Sequence, residues 1–216
     1  MRKNSKDNFN RKYGNRKPYK FIYIFTEGEK TEKRYFKSKK EEIEKEIRKR
    51  KIKIEIKGTG YNTLSLVDYA LNFIEKEDIK IKDDDCWVVF DKDDFNKNFN
   101  SAINKALAKG LKVAYSNECF ELWFLLHFSF FSSVIKRKDY FLKLTDNLRK
   151  ITGDKKIKYT KKSKNMYSLL KSMEKDAIRN AKKLLKIHKD EKSFSKNNPS
   201  TTVHLLIENL NKFKKE

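Results

Sequence analysis

Glu27 follows the apolar run "FIYIFT" (21–26) and precedes Gly28; Asp91 and Asp93 follow a second apolar run, "CWVVF" (86–90), in "VVFDKDD". Carboxylates brought together repel unless protons or a cation neutralise them, and an all-oxygen set suits a hard divalent cation such as Mg²⁺ or Mn²⁺. The i, i+2 spacing lets Asp91 and Asp93 point the same way from an extended tail while Lys92 points aside. Gly28 permits close approach of a phosphate or a left-handed turn. The helix that "GEKTE" opens adds a field favourable to anions at its N-terminus. Glu27, Asp91 and Asp93 are therefore the candidate catalytic and metal-binding residues. Taken singly, each has a plainer reading, because a Glu after a strand or an Asp before a helix commonly serves as a cap.

A second tier surrounds them. Glu29 and Glu32 occupy a helix N-terminal turn, where the dipole favours acids whatever the function, and Glu29 is the better extra ligand of the two. Asp94 suits a second-metal ligand and a cap equally. Glu121 lies within "CFELWFLL", where an unpaired carboxylate is costly, so it needs a metal, a lysine or a backbone donor; Asn117 and Glu118 precede it just past another strand. His127 could move protons, although a buried, hydrogen-bonded histidine is the favoured reading.

For three carboxylates to meet, the strands that end in them must be neighbours. "FIYIFT" and "CWVVF" read as strands covered on both faces, and "KIKIEIK" (51–57) alternates as an outer strand does. "LKVAYS" (111–116) is a fourth strand, and amphipathic stretches separate the strands: 31–50, one carrying Leu64, Leu66, Val67, Ala70, Leu71 and Ile74, and one carrying Ile103, Ala106 and Leu107. The alternation is that of an α/β domain with a parallel four-stranded sheet and flanking helices, whose ligands bind beyond the carboxyl ends of the strands. "CFELWFLLHF" (119–128) reads as an apolar helix. Beyond about 135 the chain reads as Lys-rich helices, at 138–150, 165–188 and 200–214, the last capped by "STT" after Pro199. The expected organisation is a basic disordered arm (1–19), an α/β catalytic core (20–134) and a basic helical C-terminal region packed on it (135–216).

Composition points to a polyanionic partner. The net charge of +23 is uneven: residues 1–20 hold 8 basic against 1 acidic side chain, 135–216 hold 24 against 9, and 21–134 hold 21 against 20. Basic flanks around a nearly neutral centre favour nucleic acid through phosphate neutralisation, although 44 of the 53 basic residues are Lys and biased usage alone enriches it. Lys30, Lys92, Lys155, Lys156, Lys158, Lys161, Lys162 and Lys164 are the candidate contacts, with Tyr159 and Tyr167 as stacking platforms; solvated helix faces are the alternative. Cys86 and Cys119 show no metal or disulfide spacing. With no long apolar span and no signal-peptide pattern, a cytoplasmic protein without membrane association is expected.

The order "IFTEGEKTE" then "VVFDKDD" on a four-strand β/α core resembles the Toprim fold. Within it, "EGEKTEKRYF", "WVVFDKDD", "SNECFELWFLLHF" and "NNPSTTVHLLIENL" resemble the RloB-like family, associated with abortive infection and phage defence, over roughly residues 20–210. The resemblance implies that Glu27 matches the Toprim glutamate, a metal ligand or general acid-base, and that Asp91 and Asp93 match the Mg²⁺-binding DxD. It implies a nuclease, with an AAA- or ABC-type ATPase as partner in some systems. Alternatives are a non-catalytic nucleic-acid-binding module and a subunit dormant until an ATPase joins it. A receiver-like phosphoacceptor is disfavoured because it needs a fifth strand, which the sequence does not display.

Overall fold

A computed structural model describes residues 20–46, 52–92 and 96–214. Four parallel strands follow the expected β/α alternation: β1 (Lys20–Thr26), α1 (Thr31–Glu46), β2 (Ile52–Gly58), α2 (Thr63–Lys76), β3 (Asp85–Asp91), α3 (Asn96–Ala108) and β4 (Lys112–Asn117). The remainder is α4 (Glu121–Leu125), α5 (Arg137–Thr152), α6 (Met166–Leu170), α7 (Glu174–Ile187), β5 (Ser200–Thr201) and α8 (Val203–Asn211).

The sheet has five strands, not four, in the order β2-β1-β3-β4-β5. β5 runs antiparallel to β4, pairing Ser116 with Thr201 and Asn117 with Ser200. Two polar residues carry no alternation to announce a strand. Ser200 and Thr201 are buried here because their hydroxyls bond the Asn197 carbonyl at 2.5 Å and the Tyr115 carbonyl at 2.9 Å. "STT" thus joins the sheet, and the last helix starts at Val203. The stretch expected as one helix over 165–188 divides at a 3-10 turn, Lys171–Met173, and the apolar helix at 119–128 shortens to α4.

Alternation along the strands divides the core into two layers. Ile22, Ile24, Trp87 and Val89 face α1 and α4–α8, whereas Tyr23, Phe25, Val88 and Phe90 face α2 and α3. The C-terminal helices thus supply much of one layer, with Leu144, Leu184, Leu206 and Leu210 in the same apolar cluster as Phe36 of α1. Fully burying each such side chain contributes about 1.5–3 kcal/mol. Lys39 of α1 is fully buried and pairs at 2.7 Å with Glu174 at the start of α7, tying the two regions together through charge as well.

α1 and α3 cover opposite faces, while β1 and β3 are adjacent in the sheet. The loops leaving these two strands therefore diverge, and a crevice opens between them at the carboxyl edge.

Candidate active site

Glu27 extends β1 by one residue, its N–H donating to the Val89 carbonyl at 2.9 Å and its carbonyl accepting from Gly60 N–H at 3.0 Å. β3 on one side and the turn after β2 on the other thus hold its backbone. Glu27 Oε2 accepts from the Asp91 N–H at 3.1 Å, which brings the two sequence-separated acids together at the end of β1 and β3. A cleft of about 300 Å³ opens there, lined by Glu27, Glu29, Lys30, Glu32, Asp91, Glu121 and Lys161 among others.

The electrostatics are those of crowded, desolvated acids. Burial pushes the Glu27 carboxyl up to about 7, against the hydrogen bond from Asp91 N–H, with Glu32 adding to the rise. Asp91 is raised well above its ordinary range by burial first, then by Glu32, Glu121 and Glu27; Arg137 opposes this. Glu32 is raised by burial and by Glu121, with Lys161 and Arg137 pulling the other way. Asp91 Oδ1 is buried with no hydrogen-bond partner, a position a protein tolerates poorly without a proton or a cation.

Glu27, Glu29, Asp91 and Glu121 of the expected acids line this cleft. Asp93 and Asp94 lie outside the described residues. The two helix-turn acids differ in their surroundings. Glu29 is exposed at the cleft rim, whereas Glu32 is buried and folds back over Gly28, where an added Cβ would stand 1.9 Å from Glu32 Oε2. The glycine was the available signal, since it leaves space for a carboxylate reaching back from the first turn of α1. Arg137, whose charge acts on three of the acids, begins α5 and has no sequence signal at all.

Of the lysines, Lys30 and Lys161 line the cleft. Lys155, Lys156, Lys158, Lys162 and Lys164 are exposed along the irregular segment between α5 and α6, and Lys92 is half-buried with its N–H on the Ser116 carbonyl. Tyr159 and Tyr167 are buried, which corrects the expectation that they stack on bases: their rings belong to the core and their hydroxyls donate to Glu121 and Glu42. Glu121 therefore finds its partner in a phenol, a donor the sequence reading did not consider. His127 is buried with Nδ1 on the Trp123 carbonyl, and burial lowers it to about 4, in keeping with the structural reading.

The donors suit a hard cation in type, and the unpartnered Asp91 Oδ1 marks where one would be needed. Among the described residues, however, no three His, Cys, Asp or Glu side chains are grouped to hold a metal ion. Glu121 Oε1 is occupied by Tyr159 and Glu27 Oε2 by the Asp91 N–H.

The fold is an α/β one, a mostly parallel five-stranded sheet with flanking helices and with acids at the switch point between β1 and β3, and is consistent with a Toprim-like architecture. A family model described as "RloB-like protein" matches residues 22–210, and the chain belongs to that family. No curated protein and no solved structure matches it. Among the described residues no helix is long and apolar enough to cross a membrane.

Proposed function

We propose that the protein is a Mg²⁺- or Mn²⁺-dependent nuclease acting in phage defence. The observation that carries this reading is Asp91 Oδ1, buried without a partner among Glu27, Glu32 and Glu121 at a cleft whose rim bears Lys30 and Lys161. RloB-like membership supports it through the phosphoryl-transfer chemistry that the resemblance implies. Asp91 and Asp93, with Glu27, would hold the cation, which supplies charge neutralisation at the phosphodiester and a more acidic water. Glu27 would either complete that ligand set as a carboxylate or, where Asp91 and Asp93 hold the cation alone, take a proton from the attacking water. Lys30 and Lys161 offset phosphate charge at the rim, and the exposed lysines from 155 to 164 extend that field along the bound strand.

Cleavage of a panel containing supercoiled and linear DNA, single strands and total RNA with tRNA, in Mg²⁺ or Mn²⁺, tests the reading. Wild-type cleavage lost in both Glu27→Ala and Asp91→Ala is the expected result, and cleavage that survives either change refutes it. A second reading, a partner-activated nucleic-acid-binding subunit of an ATPase-containing complex, draws on Phe130, Val134 and Leu142, large apolar side chains exposed between α4 and the middle of α5. It predicts that the isolated chain is silent on the panel and cleaves once the ATPase is added.

A further inference from the structure

Glu121 poses a question that stability does not answer. It stands 2% exposed on α4, whose residues are all buried and whose other side chains are Leu122, Trp123, Phe124 and Leu125. An apolar residue there would spare the cost of desolvating a carboxylate, so the fold alone gives no reason for the charge. The group is nevertheless provided for. Tyr159 Oη donates to Glu121 Oε1 at 2.7 Å, the short length of a charge-assisted bond.

Tyr159 is itself held from several directions. Its ring meets Phe124 and Phe141 edge-on, at 6.1 and 5.1 Å between centroids. Its N–H donates to Thr145 Oγ1 at 3.0 Å. On one side of it in sequence, Arg149 Nε donates to the Ile157 carbonyl at 3.1 Å; on the other, Arg34 Nη1 of α1 donates to the Lys162 carbonyl at 3.1 Å. The segment bearing Lys155, Lys156, Lys158, Lys161, Lys162 and Lys164 is thus pinned at both flanks, with Tyr159 as its buried centre and Lys161 delivered to the cleft.

We propose that Tyr159 is a positioning residue: its hydroxyl holds the Glu121 carboxylate at the cleft and so sets the lysine-bearing segment 153–165 in register with the acids. The inference rests on the nuclease reading and adds to it the means by which a polyanion lying on that segment meets the acids at a set distance. Tyr159 acts through Glu121 and touches no substrate. Lys161, at the rim, is the part of the segment that meets phosphate.

Tyr159→Phe keeps the ring and removes only the hydroxyl, and thermal unfolding checks that the fold is retained. Mn²⁺ binding, followed by the loss of its free-ion spin signal, and steady-state cleavage are measured for wild type, Tyr159→Phe, Glu121→Gln, the double variant and Lys161→Ala. Tyr159→Phe is expected to weaken Mn²⁺ binding and lower kcat by roughly tenfold with KM little changed, the effect typical of removing a partner that holds a carboxylate beside a metal site. It should add little to Glu121→Gln, because that change removes the carboxylate through which Tyr159 acts. Lys161→Ala should instead raise KM. Wild-type Mn²⁺ affinity and kcat in Tyr159→Phe, or losses that add in full to those of Glu121→Gln, overturn the inference and leave the nuclease reading standing. A wild type that neither binds Mn²⁺ nor cleaves overturns both.

Discussion

β3 carries an aspartate at each end, and the two live in opposite surroundings although both are buried, Asp85 at 5% and Asp91 at 7% exposure. Asp85 accepts from Lys112 and, at 3.2 Å, from Asn209 of α8, and Lys20 stands 3.4 Å away. Burial alone would raise its carboxyl, but Lys112, Asn209 and Lys20 together hold it below the ordinary range. Asp91 is ringed by Glu32, Glu121 and Glu27, keeps one oxygen without a partner and is raised well above that range. One strand therefore holds a carboxylate that the fold has neutralised and one that it has left unneutralised. A buried acid with its countercharges at hand joins elements together. A buried acid surrounded by other acids stores electrostatic free energy that a proton, a cation or a substrate can release, and such groups cluster where chemistry is done.

The largest expected consequence of this contrast lies in activity. Asp91→Ala should lower cleavage by roughly ten-thousandfold, the scale seen when one member of a catalytic unit is removed, while a single-turnover assay on Asp85→Ala should match wild type per folded molecule. Equal losses from the two ends of β3 would erase the distinction. Stability should order them the other way. Asp85→Ala leaves Lys112 and Asn209 without their acceptor and should cost about 2 kcal/mol in urea unfolding. Gly28→Ala, which drives the Glu32 carboxylate from its place, should cost about 1 kcal/mol. Asp91→Asn should raise stability by about 1 kcal/mol in a chelating buffer, because the replaced charge is repelled by its neighbours.

The pH dependence sharpens the comparison through its sign. Glu27 holds its proton more tightly folded than unfolded, so in chelator its contribution to stability declines as pH rises from about 4.5 through about 7 and is level above. Asp85, lowered in the fold, contributes stability above its ordinary value near 3.8 that is lost as pH falls through its lower folded value. Thermal unfolding of Glu27→Gln across pH 5 to 8 should therefore show a flatter profile than wild type, and saturating Mg²⁺ should reduce the wild-type decline if a cation takes the proton's place.

Much of this site could be read from the chain. "FIYIFT", apolar but for Thr26, and "CWVVF" are short runs rich in β-branched and aromatic residues, as strands covered on both faces are, and the acids that end them fall at the carboxyl edge as parallel strands require. Glu121 stood out because a carboxylate amid "CFELWFLL" cannot go unpartnered. That Glu32 is buried and Glu29 exposed is not legible in the chain: both lie near the N-terminus of α1, and which one turns inward depends on the direction of the helix relative to β3. Tyr159 was misplaced for a related reason. Lysines flank it on both sides and suggest an exposed face, whereas Phe124 and Phe141, distant in sequence, enclose it. β5 escaped notice because two residues show no periodicity, and their burial follows from hydroxyl contacts with β4.

The β/α alternation, the strands that run through the core and the acids that stand at their ends are legible in the chain, since each follows from the local pattern of apolar residues and the backbone period. Which acids meet, which basic groups face them and which polar residues enter the core depend on how the elements pack. These are matters of adjacency between segments far apart in the chain. A carboxylate's ionisation and role depend on the charges within a few ångströms of it, which the chain's own order does not specify.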